Sequence, residues 1–222
     1  MSSYFENVIK LKEMFVVETW ATIYMVLVTS LFAGVLGIIV GVLLAITEDG
    51  AILESKRLHS VLDKIVNIGR SIPFVIMLAI IAPITRFLVG TTIGNTAAIV
   101  PLIAGTVPFY ARQVQNALSE VDKGVIEAAQ AMGFDAKHII IHVYLSEAKE
   151  GLVRAGAVTI ISLIGLTAMA GAIGAGGLGK MALSYGYNRL QDDVTLVATV
   201  LILLLVFIVQ GLSNLLIRSM KH

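Results

Sequence analysis

Residues 19–46, TWATIYMVLVTSLFAGVLGIIVGVLLAI, contain no charged side chain. An α-helix needs about 20 apolar residues to cross ~30 Å of hydrocarbon, and this stretch is longer. The residues before it carry acidic and basic side chains alike, unlike the short basic start of a signal peptide, whose apolar core is also shorter. We predict that the stretch is retained in the protein as a transmembrane helix.

The composition of the whole chain agrees with a membrane location. Of 222 residues, 57% are hydrophobic and only 14% are charged, and the mean hydropathy is +0.91. Soluble domains carry about 25% charged residues, so this balance is typical of an integral membrane protein. The net charge of +1 gives no indication of nucleic-acid binding. The sequence has no cysteine, which excludes disulfides, iron–sulfur clusters and thiol catalysis.

Four further stretches are long and apolar enough to cross a membrane: 64–84, 97–117, 152–173 and 194–216. The second of the five spans is the weakest, because Asn67 and Arg70 fall within its first turns. The third contains Pro101 and Pro108, which membrane helices tolerate when neighbouring groups satisfy the freed carbonyls. The sequence therefore predicts an all-α integral membrane protein with five transmembrane helices.

Basic residues indicate the orientation of these helices. An odd number of spans places the two termini on opposite sides of the membrane. With the N-terminus outside, eleven Lys and Arg residues lie on the inner side and five on the outer side. Because positive residues concentrate in cytoplasmic loops, we predict an external N-terminus and a cytoplasmic C-terminus.

The interval 118–151 is the only sizeable one on the predicted cytoplasmic side, and it contains the sequence EAAQAMG at 127–133. Ser119-Glu-Val-Asp122 is a capping signal for a helix, and Gly133 is a typical stop. Asp135 can cap a second short helix. We predict a helix–turn–helix elbow whose alanines leave the backbone nearly bare, so that another surface can approach closely. The alternative is an amphipathic loop lying on the lipid surface.

The predicted spans lack the groups of an ion-driven carrier. Such carriers keep acidic or histidine side chains in mid-membrane. None of the five spans has Asp, Glu or His near its centre. The protein must therefore take its energy from elsewhere, or use none.

Two motifs imitate well-known sites. The run from Gly174 to Met181, GAGGLGKM, nearly matches a phosphate loop, but Met181 replaces the hydroxyl that would hold magnesium and no strand precedes the run. A glycine-rich re-entrant turn or a close helix contact is the better interpretation. His138 and His142 have the i, i+4 spacing of a zinc helix, but Ile139 stands where a metalloprotease has its glutamate and no third ligand is evident. We predict no metal site.

Small residues suggest close packing. Gly34, Gly37 and Gly41 lie along the first span, where we favour packing within the subunit over a dimer face. Met169 is the only long flexible side chain in a stretch of mostly very small residues at the end of the fourth span. Packing is one interpretation of Met169, and closure of a pore is the other.

Several of these features together resemble a known family. Glu127-Ala128-Ala129, Gly133 and Val143-Tyr144-Leu145 resemble, in order and spacing, the EAA loop of permease subunits of bacterial ABC importers. Arg70-Ser71-Ile72-Pro73-Phe74 and the run Gly174–Gly179 resemble, more specifically, the methionine-importer permeases. The resemblance covers roughly residues 15–217. This chain departs from it at Asp122, Ser146 and Glu150, where the family commonly has proline.

The resemblance implies a type I ABC importer permease fold with five spans and a cytoplasmic coupling helix. It implies a permease domain over 18–217 with its coupling loop at about 118–151, an N-terminal segment 1–17 and a cytoplasmic tail 218–222. It also implies a transport subunit of the bacterial inner membrane rather than an enzyme, forming the path for an amino acid, most specifically L- or D-methionine.

The implied partners complete the assembly: a second copy of the chain, two ABC ATPase subunits that hold ATP and Mg, an external solute-binding protein or lipoprotein, and membrane lipid. No cofactor is expected in this chain, and no nucleic acid among its partners. The residues implied to couple to the ATPase are Glu127, Ala128, Ala129 and Gly133. Those implied to border or close the path are Met169, Arg70, Ser71 and Pro73.

Other functions remain open on the sequence alone. The nearest alternative is an ABC permease for another solute, such as a polar amino acid or a quaternary amine. More distant alternatives are a passive channel, a secondary carrier and a membrane scaffold without transport.

Overall fold

A computed structural model describes residues 5–220, all of whose regular elements are helices. Residues 1–4 and 221–222 of the predicted terminal segments lie outside this part. The helices are α1 (Glu6–Lys10), α2 (Lys12–Thr47), α3 (Lys56–Ser71), α4 (Phe74–Val89), α5 (Asn95–Ser119), α6 (Lys123–Ala131), α7 (Ala136–His138), α8 (Leu145–Glu147), α9 (Lys149–Ala172), α10 (Leu178–Lys180) and α11 (Asp192–Met220). Two π-helical turns, Ile139–Tyr144 and Met181–Gly186, and a 3₁₀ turn, Tyr187–Arg189, complete them.

Four helices within the described residues are long and apolar enough to cross a membrane: α2, α5, α9 and α11. They contain the first, third, fourth and fifth predicted spans almost completely. Helix α5 runs without interruption through Pro101 and Pro108, as expected for a membrane helix. The prediction of an all-helical membrane protein is confirmed.

The second predicted span, 64–84, is not one straight helix. It breaks between α3 and α4, and a fifth span results only when this bent pair is counted as one. Pro73 explains the break, because it has no N–H to donate and it disfavours helical backbone at the residue before it. Pro73 instead starts α4, and its carbonyl accepts hydrogen bonds from the backbone N–H groups of Ile76 and Met77 at 2.9 and 3.0 Å.

Helix α2 begins earlier than the apolar run suggests. Its 36 residues start at Lys12 and reach about 54 Å at 1.5 Å per residue. Glu13 and Glu18 therefore lie inside the helix rather than before it. Glu13 is exposed, whereas Glu18 is buried.

The chain packs as two compact units. Within residues 5–220, the first consists of the residues up to Phe32, Ile72–Gly105 and Ile160–Gly211, and the second consists of Ala33–Ser71, Thr106–Thr159 and the residues from Leu212 onward. In the first unit, fully buried Met25, Leu102 and Leu163 form a core with Phe74 and Met77.

In the second unit, Tyr110, Val114 and Leu118 of α5 pack against Ala45 of α2 and Ala155 of α9.

Two of the small residues of α2 make close contacts inside the second unit. A Cβ added to Gly37 would lie 2.6 Å from the Tyr110 ring, and one added to Gly41 would lie 2.5 Å from the carbonyl oxygen of Ala111. Gly34, by contrast, faces open space. The prediction of packing within the subunit is confirmed for Gly37 and Gly41.

Candidate functional site

The first arm of the elbow is α6, in the second unit. Asp122 is its cap, and Oδ1 of Asp122 accepts a hydrogen bond from the N–H of Gly124 at 2.7 Å. Ser119 is not part of this cap, because it ends α5 and donates its hydroxyl to the carbonyl oxygen of Gln115. After the helix, Gly133 has φ +84°, the left-handed conformation that favours glycine. The predicted glycine stop is confirmed.

The second arm begins at Asp135, as predicted. Its Oδ1 accepts a hydrogen bond from the N–H of His138 at 3.1 Å. The arm then continues through a π-helical turn to Glu147. Such turns occur mostly as single insertions in α-helices, and no residue pattern predicted this one. Apolar side chains of both arms, Ile126 and Ile139, pack together with Ile52 of the loop before α3.

The alanines of α6 face in different directions. Ala129 is 3% exposed and belongs to the cluster of Ile126 and Ile139, so its small size suits packing within the chain. Ala128 and Glu127 are exposed on the other side of the helix. The expectation that all three residues offer a surface to a partner therefore needs correction for Ala129, because a residue three positions after Ile126 lies on the same helix face.

Exposed apolar and aromatic groups continue this outer surface. Met132 is 68% exposed, and Phe134 is 43% exposed. The rings of Phe134, His138 and His142 form a stack, with centroids 4.6 and 4.3 Å apart. Within residues 5–220, no three His, Asp or Glu side chains form a group that could hold a metal ion. The stacked rings of His138 and His142 form part of an exposed aromatic surface.

A cavity of about 340 Å³ is lined by residues of α6 and of the loop after α2. Glu48, Glu127, Gln130 and Tyr144 are among its lining residues. Burial raises the pKa of the Tyr144 hydroxyl, and the negative charge of Glu48 raises that pKa further. Tyr144 therefore remains a neutral hydrogen-bonding group.

The residues expected along the path are divided between the units. Arg70 and Ser71 are exposed at the end of α3 in the second unit, where Ser71 donates its hydroxyl to the carbonyl oxygen of Asn67 at 2.7 Å. Pro73 and Met169 belong to the first unit. Met169 is 47% exposed on α9, so it does not fill the core of its own unit.

The glycine run between α9 and α11 is a tight turn, as predicted. Gly174, Gly176 and Gly177 have φ values of +105°, +96° and +81°, which residues with a Cβ rarely adopt. The N–H groups of Gly177 and Leu178 are already bonded to side chains of α2. These two amides are therefore not free to hold a phosphate in the way that the amides of a phosphate loop do.

Two charged clusters were not predicted. In the first unit, buried Glu18 pairs with Lys180 at 2.7 Å. In the second unit, Nη2 of Arg112 lies 2.5 Å from Oδ1 of Asp63 and 3.0 Å from Oδ1 of Asn67. The sequence signal for Arg112 is its place inside a predicted span, where an unpaired cation is costly. Glu18 carries a weaker signal, a single acid next to the longest apolar run.

Comparison with known proteins agrees with this architecture. Residues 35–222 match the family model described as "Binding-protein-dependent transport system inner membrane component". The chain is 45% identical over 205 residues to a probable D-methionine transport system permease protein of Pasteurella multocida (strain Pm70), covering 92% of this chain and 94% of the relative. It is 50% identical over 173 residues to a methionine import system permease protein of Bacillus subtilis (strain 168), covering 78% of each.

Solved structures give the same result. A chain of the MetNI methionine ABC transporter, in an inward facing conformation, superposes with a TM-score of 0.93 at 43% identity. The match covers 96% of this chain and 99% of that one. A chain of an amino acid ABC transporter has a TM-score of 0.78 at 17% identity, which shows a shared fold alone. This chain belongs to the family of binding-protein-dependent transport system inner membrane components.

Proposed function

We propose that this chain is the membrane permease subunit of an ATP-driven ABC importer and forms the path for methionine, delivered by an external binding protein. The observation that carries the proposal is the identity of 45–50% with relatives named as methionine permeases, extending over 78–92% of this chain. The superposition with a chain of a methionine ABC transporter supports it independently of those names.

The energy for transport would come from a separate subunit that holds ATP and Mg²⁺. The glycine run of this chain supports the assignment of ATP binding to a separate subunit, because the amides of Gly177 and Leu178 are hydrogen-bonded within the chain and Met181 offers no hydroxyl. The exposed face of the elbow is the surface that we propose to contact the ATPase. Its central residues are Glu127, Ala128 and Gly133. Ala129 lies on the buried side of the helix and packs within the chain.

Two copies of the chain would form one transporter. ABC ATPases work as dimers, and each chain supplies a single elbow. We propose that Met169 closes the path toward the outside and that Arg70, Ser71 and Pro73 border it at the break between α3 and α4. The exposure of Met169, Arg70, Ser71 and Pro73 in the single chain is compatible with such a shared path.

The orientation is also part of the proposal. The excess of basic residues on one side supports an external N-terminus and a cytoplasmic C-terminus. Because the natural chain has no cysteine, single cysteines introduced at positions 120 and 184 report the topology without background. They should label from opposite sides of intact cells, and labelling from the same side would contradict the orientation.

Competition for uptake tests the solute. Cells that lack their own methionine uptake should take up labelled L-methionine when they express this chain with its ATPase and binding protein. Unlabelled L- or D-methionine should suppress that uptake, whereas glutamine and glycine betaine should not. Absence of labelled methionine uptake, together with uptake of labelled glutamine or glycine betaine by the same cells, would assign the importer to another solute.

A further inference from the structure

The glycine run between α9 and α11 is held by two side chains of α2. Gly177 donates its backbone N–H to Oε2 of Glu18 at 2.5 Å, and Leu178 donates its N–H to Oγ1 of Thr22 at 2.8 Å. The ammonium of Lys180 lies 2.7 Å from Oε1 of the same carboxylate. One acidic side chain therefore holds both a backbone amide and a cation of the loop.

The acid is buried although its partner is not. The side chain of Glu18 is 8% exposed, and that of Lys180 is 35% exposed. A buried carboxylate is tolerated when it is paired and hydrogen-bonded, and removal of one partner leaves the other uncompensated. The hydrogen bond to Glu18 raises the pKa of Lys180 above its ordinary value of 10.5, so this lysine remains charged at neutral pH.

The loop needs such an anchor because of its composition. Gly174, Gly176 and Gly177 leave a wide range of backbone conformations open to the unrestrained segment. These three residues have no side chain whose packing could favour one conformation. The hydrogen bonds that Gly177 and Leu178 donate to Glu18 and Thr22 restrict the segment to one conformation, because they fix two consecutive amides.

The held loop is in turn packed against the end of α9. A Cβ added to Gly171 would lie 2.6 Å from the backbone nitrogen of Lys180, and one added to Gly179 would overlap the backbone of Ala168. These contacts leave no free space between the two segments. Movement of the loop toward α9 must therefore displace the last turn of α9, and movement away from α9 would remove the packing of that turn. Met169 lies in that turn.

We infer that Glu18, assisted by Thr22, is a positioning residue that holds the glycine loop, and through the loop the end of α9 with Met169, in one conformation. The inference rests on the proposed function only where it assigns to Met169 the closure of the path. The linkage from α2 to the loop and from the loop to α9 rests on the contacts alone.

Cysteine labelling at position 169 tests the linkage directly. Met169→Cys is introduced into the otherwise cysteine-free chain, the complete transporter is purified in detergent, and the rate of reaction with a fluorescent maleimide is measured. The same measurement is made with Glu18→Ala, Glu18→Gln and Thr22→Val added. Glu13→Ala is the matched control, because it removes an exposed acid from the same helix.

A hydrogen bond to a charged group contributes enough for a change of about tenfold in an equilibrium constant. Glu18→Ala should therefore raise the labelling rate about tenfold or more. Glu18→Gln can still accept from Gly177 but cannot pair with Lys180, and should raise the rate about threefold. Glu13→Ala should leave it within about twofold of the parent.

Equal labelling rates for Glu18→Ala and Glu13→Ala would overturn the inference. If Glu18→Ala does not fold, Thr22→Val decides, because it keeps the side-chain shape and removes the acceptor of Leu178. Thr22→Val should raise the rate about threefold, and an unchanged rate would overturn the inference. Labelling requires neither ATP nor solute, so a parent transporter that fails to carry methionine would overturn the proposed function and leave this result intact.

Discussion

Replacing Ala128 and Ala129 by leucine, one at a time, separates the internal packing of the elbow from its contact with another protein. Ala129 is 3% exposed and packs with Ile126 and Ile139, whereas Ala128 is exposed. Leucine at position 129 must place three additional carbons in a filled cluster, which costs about 1–3 kcal/mol. Leucine at position 128 extends into solvent, where substitutions change stability by less than about 0.5 kcal/mol.

The two variants should therefore differ in hydrogen exchange. A cost of 1–3 kcal/mol corresponds to a change of about 5- to 150-fold in an equilibrium. Exchange of the α6 amides should accelerate by about this factor in Ala129→Leu, provided that the elbow opens as a local unit. In Ala128→Leu the exchange rates should stay within about twofold of the parent. Mass spectrometry of peptides that cover 123–131 gives both values.

Association with the ATPase should show the opposite order. Ala128→Leu should reduce co-purification of the ATPase subunits from a normally folded permease, because the side chain obstructs the proposed contact. Faster exchange in Ala128→Leu, without faster exchange in Ala129→Leu, would refute the assignment of Ala129 to the internal packing of the elbow. Normal ATPase binding by Ala128→Leu would refute the proposed contact surface alone.

Four further predictions concern other parts of the chain. Gly41→Ala should destabilise the protein by roughly 1–3 kcal/mol in thermal unfolding, because its Cβ would lie 2.5 Å from a carbonyl oxygen of α5, whereas Gly34→Ala meets open space and should be neutral or stabilising. Gly133→Val should cost about 1 kcal/mol or more in the left-handed conformation, and should weaken ATPase co-purification without preventing membrane insertion. Met169→Ala should raise ATP hydrolysis in the absence of binding protein, because it removes the side chain that we propose to close the path. Unchanged basal hydrolysis would show that Met169 serves packing alone. The pKa of Lys180 is raised in the folded state, so its ion pair stabilises the protein fully at a pH below 10.5 and loses this stabilisation as the pH rises through the higher folded-state pKa. The difference in unfolding free energy between the parent and Lys180→Met should therefore be constant from about pH 6 to 9.

The fold was largely predictable because membrane helices depend on local composition. Four spans required only the count of consecutive apolar residues, which reflects the thickness of hydrocarbon. The second span was predicted as continuous, although Pro73 lies within it. Proline interrupts some membrane helices and is tolerated in others, and α5 runs through both Pro101 and Pro108. Which outcome applies depends on neighbouring helices rather than on the proline itself.

The elbow was predictable in outline for a similar reason. Asp122, Asp135 and Gly133 act on their own backbone, so their roles could be inferred from a few adjacent residues. The direction of Ala129 could not, because alanine is compatible with both a buried and an exposed helix face. The ring stack of His138 and the π-helical turn likewise depend on how the second arm packs.

The buried ion pair of the first unit was the least predictable feature. Glu18 is separated from Lys180 by 162 residues in the sequence. Its side chain precedes the apolar run, where a charged residue is expected to face water. The burial of Glu18 follows only once the glycine run folds back onto α2. The sequence gives the turn-forming residues of that run but not their partner.

Methionine accumulation in proteoliposomes tests the central claim most directly. The chain is reconstituted with its ATPase and binding protein, ATP and Mg²⁺ are placed on the ATPase side, and labelled L-methionine is added on the other side. We predict accumulation above the external concentration, and none when ATP is replaced by a non-hydrolysable analogue. Accumulation that follows a proton or sodium gradient without ATP, or equilibration that stops at the external concentration with ATP present, would contradict the account.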